Sequence, residues 1–214
     1  MSSDDPGRPI VDRNRGEDEM SNIVVSQFVT VDGAFEDPGG SEGFERGGWA
    51  FQFERGPEGD QFKLDEVMTS EALLLGRVTY EGFAAAWPSR TGEFADKFNE
   101  MPKYVVSSTL DSPEWNNSTV INGDVASEVA KLKHSGEGEG DILVNGSAQL
   151  VRTLMEHDLV DEYRLMVFPL VLGSGKRLFE DPGEAKALRL VDSKPVGPDG
   201  VVILTYRPAP ASEA

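Results

Sequence analysis

Several kinds of residue are missing from this sequence or rare in it. The 214 residues include no cysteine and only two histidines. The absence of cysteine excludes disulfides, thiolate metal sites, iron–sulfur clusters and cysteine nucleophiles. His134 follows lysines at the end of a helical pattern, where cations suit the free carbonyl groups, and His157 lies at the foot of another helical pattern. Neither histidine therefore indicates a metal site or histidine catalysis.

Long apolar runs and positive charge are also scarce. The longest apolar stretch spans residues 165–172, far below the ~20 residues that a membrane-spanning helix needs. The N-terminus is acidic and has no apolar signal region. The formal net charge of −18 repels nucleic acid and anionic membranes. We therefore expect a cytoplasmic protein that acts on a small molecule, with no nucleic-acid or membrane partner.

The composition predicts one folded domain with a tail at each end. Residues 1–20 are rich in Asp, Glu, Arg, Gly and Pro and predict a disordered acidic tail. Residues 21–208 predict the folded domain, and residues 209–214 predict a second disordered tail. Residues 34–59 are rich in glycine and carry several aromatic side chains. They form either a lid over a site or a loop whose rings pack on the core.

Strand and helix patterns alternate up to residue 157, and only strands are predicted after it. Predicted strands cover residues 23–31, 72–75, 103–108, 119–121, 141–145, 159–168, 188–192 and 201–206. Predicted helices cover residues 59–69, 78–86 and 92–100, and two more begin near residues 124 and 147. This alternation is typical of an α/β domain whose mostly parallel sheet has helices on both faces. The final two strands predict an antiparallel edge.

Three of the predicted strands end in residues that suit a bound phosphate. In open parallel sheets, ligands bind beyond the carboxyl ends of the strands. A helix that begins at such a point adds free N–H groups and the positive end of its dipole. The three strand ends are Gly76-Arg77, Ser107-Ser108 and Gly146-Ser147. Each one alone fits an ordinary tight turn, but three at strand ends predict a small cationic cradle on an acidic protein.

The motifs at these strand ends resemble those of the dihydrofolate reductase fold. They are Gly-Arg-Val-Thr-Tyr-Glu after a buried strand, Val-Val-Ser-Ser after the next, and Val-Asn-Gly-Ser-Ala before a helix. Val-Asp-Gly after the first strand and Pro-Leu-Val-Leu-Gly-Ser-Gly-Lys-Arg-Leu-Phe near the end more closely resemble one branch. That branch holds the reductase domain of the bifunctional riboflavin-biosynthesis enzyme and its stand-alone relatives. The resemblance covers residues 22–206 and implies a three-layer α/β sandwich.

The same resemblance implies that NADPH is the cofactor. Arg77 matches the residue directed at the 2′-phosphate, and a guanidinium suits that group. The other cofactor-binding positions that the resemblance implies are Gly76, Thr79, Ser107, Ser108, Gly146 and Ser147. Dihydrofolate reductases carry a Gly-Gly pair at the last of these turns, whereas here Asn145 precedes the glycine.

The residues that contact the substrate are less well defined. By spacing, Asp60 is the nearest counterpart of the carboxylate that folate enzymes carry on the helix before Gly-Arg. It could protonate or hydrogen-bond an acceptor nitrogen while hydride arrives. Asp32 is a second candidate, because its turn adjoins the nicotinamide side in this fold. Simpler interpretations are a solvated residue at a helix start for Asp60 and an ordinary Asp-Gly turn for Asp32. Trp49 either stacks on a flat heterocycle or packs into the core.

The resulting functional prediction is an NADPH-dependent reductase that transfers hydride to a C=N or C=O group of a small heterocycle. Without cysteine the chain lacks the zinc site of a deaminase, so the riboflavin comparison applies to the reductase part alone. One alternative is a module of this fold that binds NADPH without turnover, as a sensor or interaction protein. Another is a scaffold whose three turns are only structural. The terminal strand pair and the habit of the family predict a homodimer.

Overall fold

A computed structural model of the protein describes residues 20–135, 140–179 and 184–210. The two predicted tails lie outside the described residues, apart from Met20 and residues 209–210. Over the described part of the chain, no helix is long and apolar enough to cross a membrane.

The predicted alternation of strands and helices is confirmed. The strands are β1 (Ile23–Thr30), β2 (Ser70–Gly76), β3 (Lys103–Val106), β4 (Ser118–Ile121), β5 (Asp141–Val144), β6 (Glu162–Phe168), β7 (Leu188–Val196) and β8 (Val201–Pro208). The helices are α1 (Gly56–Met68), α2 (Arg77–Ala86), α3 (Glu93–Glu100), α4 (Val125–Ser135) and α5 (Ala148–Glu156). A short 3-10 helix spans Trp49–Gln52.

The strands form one twisted sheet in the order β4-β3-β2-β5-β1-β6-β8-β7. The pairs from β4 to β6 are parallel, while β8 is antiparallel to both β6 and β7. The predicted α/β class, with a mostly parallel sheet and an antiparallel C-terminal edge, is therefore confirmed. The run of leucines in β2 is apolar throughout because helices cover both faces of this central strand.

Successive residues of β2 show how the three layers are built. Leu73 and Leu75 pack on one face with residues of α1, α2 and α3. Leu74 points to the other face and packs with residues of α4 and α5. The period of two along a strand thus divides one apolar run between two cores. The sheet is the middle layer of a helix–sheet–helix sandwich.

The glycine-rich segment between β1 and α1 packs against a third cluster. Trp49 is fully buried, and its ring meets that of Phe168 edge to face with 5.4 Å between centroids. Phe44 and Phe53 pack against the same cluster, whereas Phe51 is 81% exposed. Most of the rings in this segment therefore contribute to the core, as the packing interpretation expects.

Two elements differ in extent from their predicted boundaries. Helix α1 begins at Gly56, three residues early, because Pro57 in its first turn favours a helix start. Strand β7 continues to Val196 although most of its side chains are exposed. In the part of the chain that the structure describes, it is the outermost strand and its one neighbour is β8. Pro195 is therefore tolerated there, and no alternating apolar pattern is required.

Candidate cofactor and substrate site

The three predicted strand ends lie side by side in the sheet, because β2 stands between β3 and β5. Gly76, the last residue of β2, pairs in register with Val106, the last residue of β3. Ser107 therefore follows directly beside Gly76. On the other side, Val144 at the end of β5 pairs with Leu74, which places the next turn close to Gly76.

The turns after β2 and β5 contact each other through hydroxyl groups. The Gly76 N–H donates to Ser147 Oγ (2.9 Å), and Ser147 Oγ donates to Thr79 Oγ1 (3.0 Å). Gly146 has a φ of +58°, and a Cβ added to it would lie 2.6 Å from Thr79 Oγ1. Only glycine therefore allows these turns to approach so closely. Four of the predicted cofactor residues form one continuous structure.

Helices α2 and α5 both begin at this place. Neither receives a hydrogen bond from its N-cap side chain, since Gly76 has none and the Ser147 hydroxyl bonds elsewhere. Each helix therefore presents first-turn N–H groups and a positive dipole end. This donor set fits the phosphates of a dinucleotide, and the glycines leave room for the backbone to approach them.

Arg77 lies at the start of α2, next to this donor set. Its Nη1 donates to both carboxylate oxygens of Glu81 (2.8 and 2.9 Å), one helical turn further on. The pair is exposed, with 43% of the Arg77 side chain accessible, and such surface pairs contribute little to stability. A phosphate group would compete with Glu81 for this guanidinium.

The serine pair after β3 has a structural task as well. Ser107 Oγ accepts hydrogen bonds from the N–H groups of Thr109 (3.1 Å) and Leu110 (2.9 Å). This arrangement turns the chain immediately beyond the strand. Ser108 is exposed beside it. The serine pair lies next to the turn after β2, and Ser107 fixes the shape of the loop after β3.

Gln27 is a further residue of the site, which the motifs do not reveal. Its side-chain amide accepts from the Gly146 N–H (3.0 Å) and donates to the Gly146 carbonyl (2.8 Å). One amide thus fixes both backbone groups of the glycine. The signal in the sequence is a long polar side chain inside a largely apolar strand, and Gln27 is indeed buried.

Asp32 anchors a loop. Its carboxylate accepts hydrogen bonds from Thr30 Oγ1 (2.6 Å) and from the N–H groups of Leu172 (3.1 Å) and Gly173 (3.0 Å). The Thr30 hydroxyl and these N–H groups lower the pKa of Asp32 to about 2. The carboxyl group is therefore ionised at neutral pH, a poor state for the proton donor that Asp32 was predicted to be. Arg177 also pairs with it (3.5 Å).

Asp60 and Trp49 lack the surroundings that their predicted roles need in this conformation. Asp60 lies on α1 with its side chain 68% exposed, and Arg55 Nε pairs with it at 2.6 Å. Trp49 is buried, and its indole N–H donates to the Glu36 carbonyl (2.9 Å). The geometry therefore supports the simpler interpretation of each residue. The substrate roles remain predictions without structural support.

Sequence comparison identifies the family. The profile of the RibD C-terminal domain matches residues 21–202, nearly the whole described domain. The chain belongs to this family. Two relatives are uncharacterized proteins of Bacillus subtilis (strain 168). YwjB is 33% identical over 70% of this chain and 80% of its own length. YyaP is 30% identical over 88% of this chain and 95% of its own length. Neither name states a reaction for these two relatives.

Solved structures show the same fold. A riboflavin biosynthesis protein from Shewanella sp. PV-4 aligns with a TM-score of 0.70 at 21% identity, over 89% of this chain and all of that chain. A dihydrofolate reductase from Enterococcus faecalis, complexed with NADP(H) and RAB-propyl, aligns with a TM-score of 0.58 at 15% identity. The alignment covers 88% of this chain and 97% of that chain. A Thermotoga maritima deaminase/5-amino-6-(5-phosphoribosylamino)uracil reductase aligns with a TM-score of 0.60 at 15% identity. The alignment covers 89% of this chain and 57% of that chain. The family's dihydrofolate reductase-like fold is thus confirmed.

Proposed function

We propose that this protein is an NADPH-dependent reductase that delivers hydride to a C=N or C=O group of a small heterocycle. The observation that carries the proposal is the contact between the Gly76–Thr79 and Gly146–Ser147 turns, where two helices begin. A reductase-type fold and the NADP(H) complex of the related dihydrofolate reductase support the same conclusion. NADPH supplies the hydride, and the protein binds and orients the reactants and supplies the surrounding charges.

The chain's own residues divide the binding of the cofactor between them. In the proposal, the first-turn N–H groups of α2 and α5 receive the pyrophosphate, and the hydroxyls of Thr79 and Ser147 hold the two turns together. Arg77 leaves Glu81 and pairs with the 2′-phosphate. Because the whole molecule carries a formal charge of −18, this local positive donor set is what makes an anionic cofactor acceptable.

Fluorescence titration with NADPH and NADH tests the cofactor and the role of Arg77 together. We expect Arg77→Ala to weaken NADPH binding by about tenfold or more, which is the loss of one hydrogen-bonded charge pair. NADH binding should change little, because it has no 2′-phosphate. The matched control is Lys131→Ala on α4, because the pair of Lys131 with Glu128 is exposed in the same way. Equal wild-type affinity for the two cofactors would remove the role assigned to Arg77.

A second candidate function is cofactor binding without turnover. It is favoured by the surroundings of the two predicted proton donors, since Asp60 is exposed and Asp32 is ionised. Oxidation of NADPH followed at 340 nm with a panel of heterocyclic carbonyl and imine compounds distinguishes the two functions. Steady oxidation that persists in Asp60→Asn and Asp32→Asn supports a reductase with a different donor. Binding of NADPH with no oxidation across the panel supports the sensor.

A further inference from the structure

Helix α1 buries a charged cluster against the sheet. Lys63 Nζ donates to Ser26 Oγ (2.7 Å) and to Glu66 Oε2, and Ser26 Oγ donates to Glu66 Oε2 (2.9 Å). The Glu66 side chain is 1% exposed and that of Lys63 is 13% exposed. Glu66 is thus the carboxylate of α1 that faces the sheet, whereas Asp60 of the same helix faces solvent.

Ser26 connects this cluster to the candidate cofactor site. Its carbonyl accepts a hydrogen bond from Asn145 Nδ2 (3.0 Å), and the next residue, Gln27, holds both backbone groups of Gly146. Val25 is the last residue of β1 that pairs with β5, so β1 continues past the end of that strand. The cluster therefore lies beside the Gly146 turn, on the face of the sheet that α1 covers.

One oxygen of Glu66 has no close hydrogen-bond donor in the described part of the chain. Among the described residues, no donor forms a hydrogen bond with Glu66 Oε1, although the atom is buried. Arg164 Nη1 is 3.7 Å away, and that guanidinium is already bound to Asp141 (2.9 Å) and Glu162 (2.7 Å). Burying a carboxylate oxygen without a donor is costly. A buried polar atom in this state is a candidate contact for a bound molecule.

Lys63 retains a donor that the described part of the chain does not use. An ammonium group has three N–H donors, and Ser26 and Glu66 take two of them. Lys63 Nζ also lies 5.6 Å from the centre of the Phe28 ring, and the Arg55 guanidinium carbon lies 5.3 Å from the same centre. The place therefore combines an aromatic ring with two cations. Ammonium groups bind acceptor atoms, whereas a carboxylate binds donors.

We propose that Lys63 contacts the acceptor oxygen or nitrogen of the substrate and gives it a proton, and that Glu66 is the positioning residue for Lys63. This proposal rests on the reductase function. When the substrate carbon has received hydride from NADPH, the electron pair of its C=O or C=N bond remains on the oxygen or nitrogen. That atom forms its new O–H or N–H bond with a proton from Lys63 Nζ. Lys63 becomes a neutral amine and regains a proton from water.

Two flat probes of matched shape test which group receives the substrate. Lumazine (pteridine-2,4-dione) presents carbonyl acceptors where 2,4-diaminopteridine presents amino donors. We expect wild-type protein to bind lumazine about tenfold more tightly in calorimetric titrations, with and without saturating NADP⁺. Lys63→Met should remove that preference and keep the NADPH affinity of the wild type. Wild-type protein that binds neither probe, or that prefers the diamine, would overturn the proposal.

Three further variants separate contact with the substrate from a structural role. Lys131→Met removes a lysine with the same i, i+3 glutamate spacing on α4, where the pair is exposed, and it should leave lumazine affinity unchanged. Glu66→Gln should weaken lumazine binding at unchanged NADPH affinity, and Glu66→Asp should restore most of it. Unaltered lumazine binding in Lys63→Met would refute the assignment.

If Lys63→Met fails to fold, Lys63→Gln removes the charge and shortens the side chain while keeping an amide donor, and it should lower the lumazine preference without abolishing it. The proposed function has its own separate readout. If wild-type protein binds no NADPH, the reductase proposal fails. The lumazine titration without cofactor still decides whether Lys63 binds a carbonyl acceptor of the probe.

Discussion

At the residue scale, Asp32 shows how one carboxylate can hold a loop in place through its hydrogen bonds. It follows β1 and draws the backbone of the loop after β6 towards that strand through Leu172 and Gly173. Arg177 of the same loop donates to the Asp32 carbonyl, and neighbouring Lys176 pairs with Glu36 (2.5 Å). The basic residues of this loop are therefore engaged by acidic groups, and they position the loop instead of offering a free anion site.

The pKa of Asp32 gives a prediction about stability. Its value of about 2 in the folded protein lies below the ~3.9 of an unfolded chain, so the ionised form favours folding. This contribution is complete above about pH 4 and is lost as the pH falls towards 2. We expect Asp32→Asn to lower the melting temperature at pH 7, and the difference from wild type to shrink between pH 4 and pH 2. Thermal denaturation followed by circular dichroism measures both.

Asp60→Asn is the matched control for this experiment. Asp60 is exposed and forms an ion pair with Arg55, and exposed pairs of this kind contribute roughly 0–1 kcal/mol. A melting temperature that falls equally in both variants would contradict the anchoring role of Asp32.

At the scale of elements, a buried lysine joins the end of α3 to the start of β3. Lys103 is fully buried. Its Nζ donates to the carbonyls of Asn99 and Asn116 and lies 4.3 Å from the centre of the Trp115 ring. In the described part of the chain no carboxylate forms an ion pair with it, so carbonyl dipoles and the ring face hold the cation.

Burial lowers the pKa of Lys103 to about 8, and this predicts an unusual pH dependence. Between about pH 8 and pH 10.4 the unfolded chain keeps a proton on this lysine that the folded protein has released. Stability from this group therefore rises with pH across that window. We expect wild-type protein to gain melting temperature relative to Lys103→Met between pH 8 and pH 10. A parallel pH dependence of wild type and Lys103→Met would contradict this, and Lys131→Met provides the exposed control.

At the scale of the whole molecule, the sheet ends in an exposed edge. Among the described residues, strand β7 pairs with β8 alone, and both Leu190 (50%) and Val191 (43%) are exposed on it. Exposed apolar residues on an outer strand are suited to an interface with a second copy of the chain. The homodimer predicted from the sequence remains a proposal, and this edge is the surface that we assign to it.

Light scattering coupled to size-exclusion chromatography tests that assignment. We expect wild-type protein to elute at twice the mass of the chain, and a Leu190→Glu, Val191→Glu double variant to elute as a monomer, because charges would then have to be buried at the interface. A monomeric wild type, or a double variant that still dimerises, would contradict it. NADPH titration of the variant shows whether the cofactor site depends on assembly.

The order of the elements and the place of the cofactor turns follow from the sequence by itself. Apolar runs of period two and amphipathic helices are local patterns, and they predict the alternation that produces the parallel sheet. The glycines at residues 76 and 146 could likewise be found locally, because each lies between an apolar strand and a helix. Parallel strands place their carboxyl ends at one edge of the sheet, which brings those turns together.

Only the tertiary structure decides which polar side chains face the site. Asp60 and Glu66 lie on the same helix, and their spacing does not say which of them points to the sheet; packing of α1 turns Glu66 inward and leaves Asp60 in solvent. The sequence likewise does not reveal that Gln27, Ser26 and Lys63 lie near the site, because their hydrogen-bond partners are distant along the chain. Local pattern determines where the chain turns, whereas contacts between distant segments decide what each charge can bind.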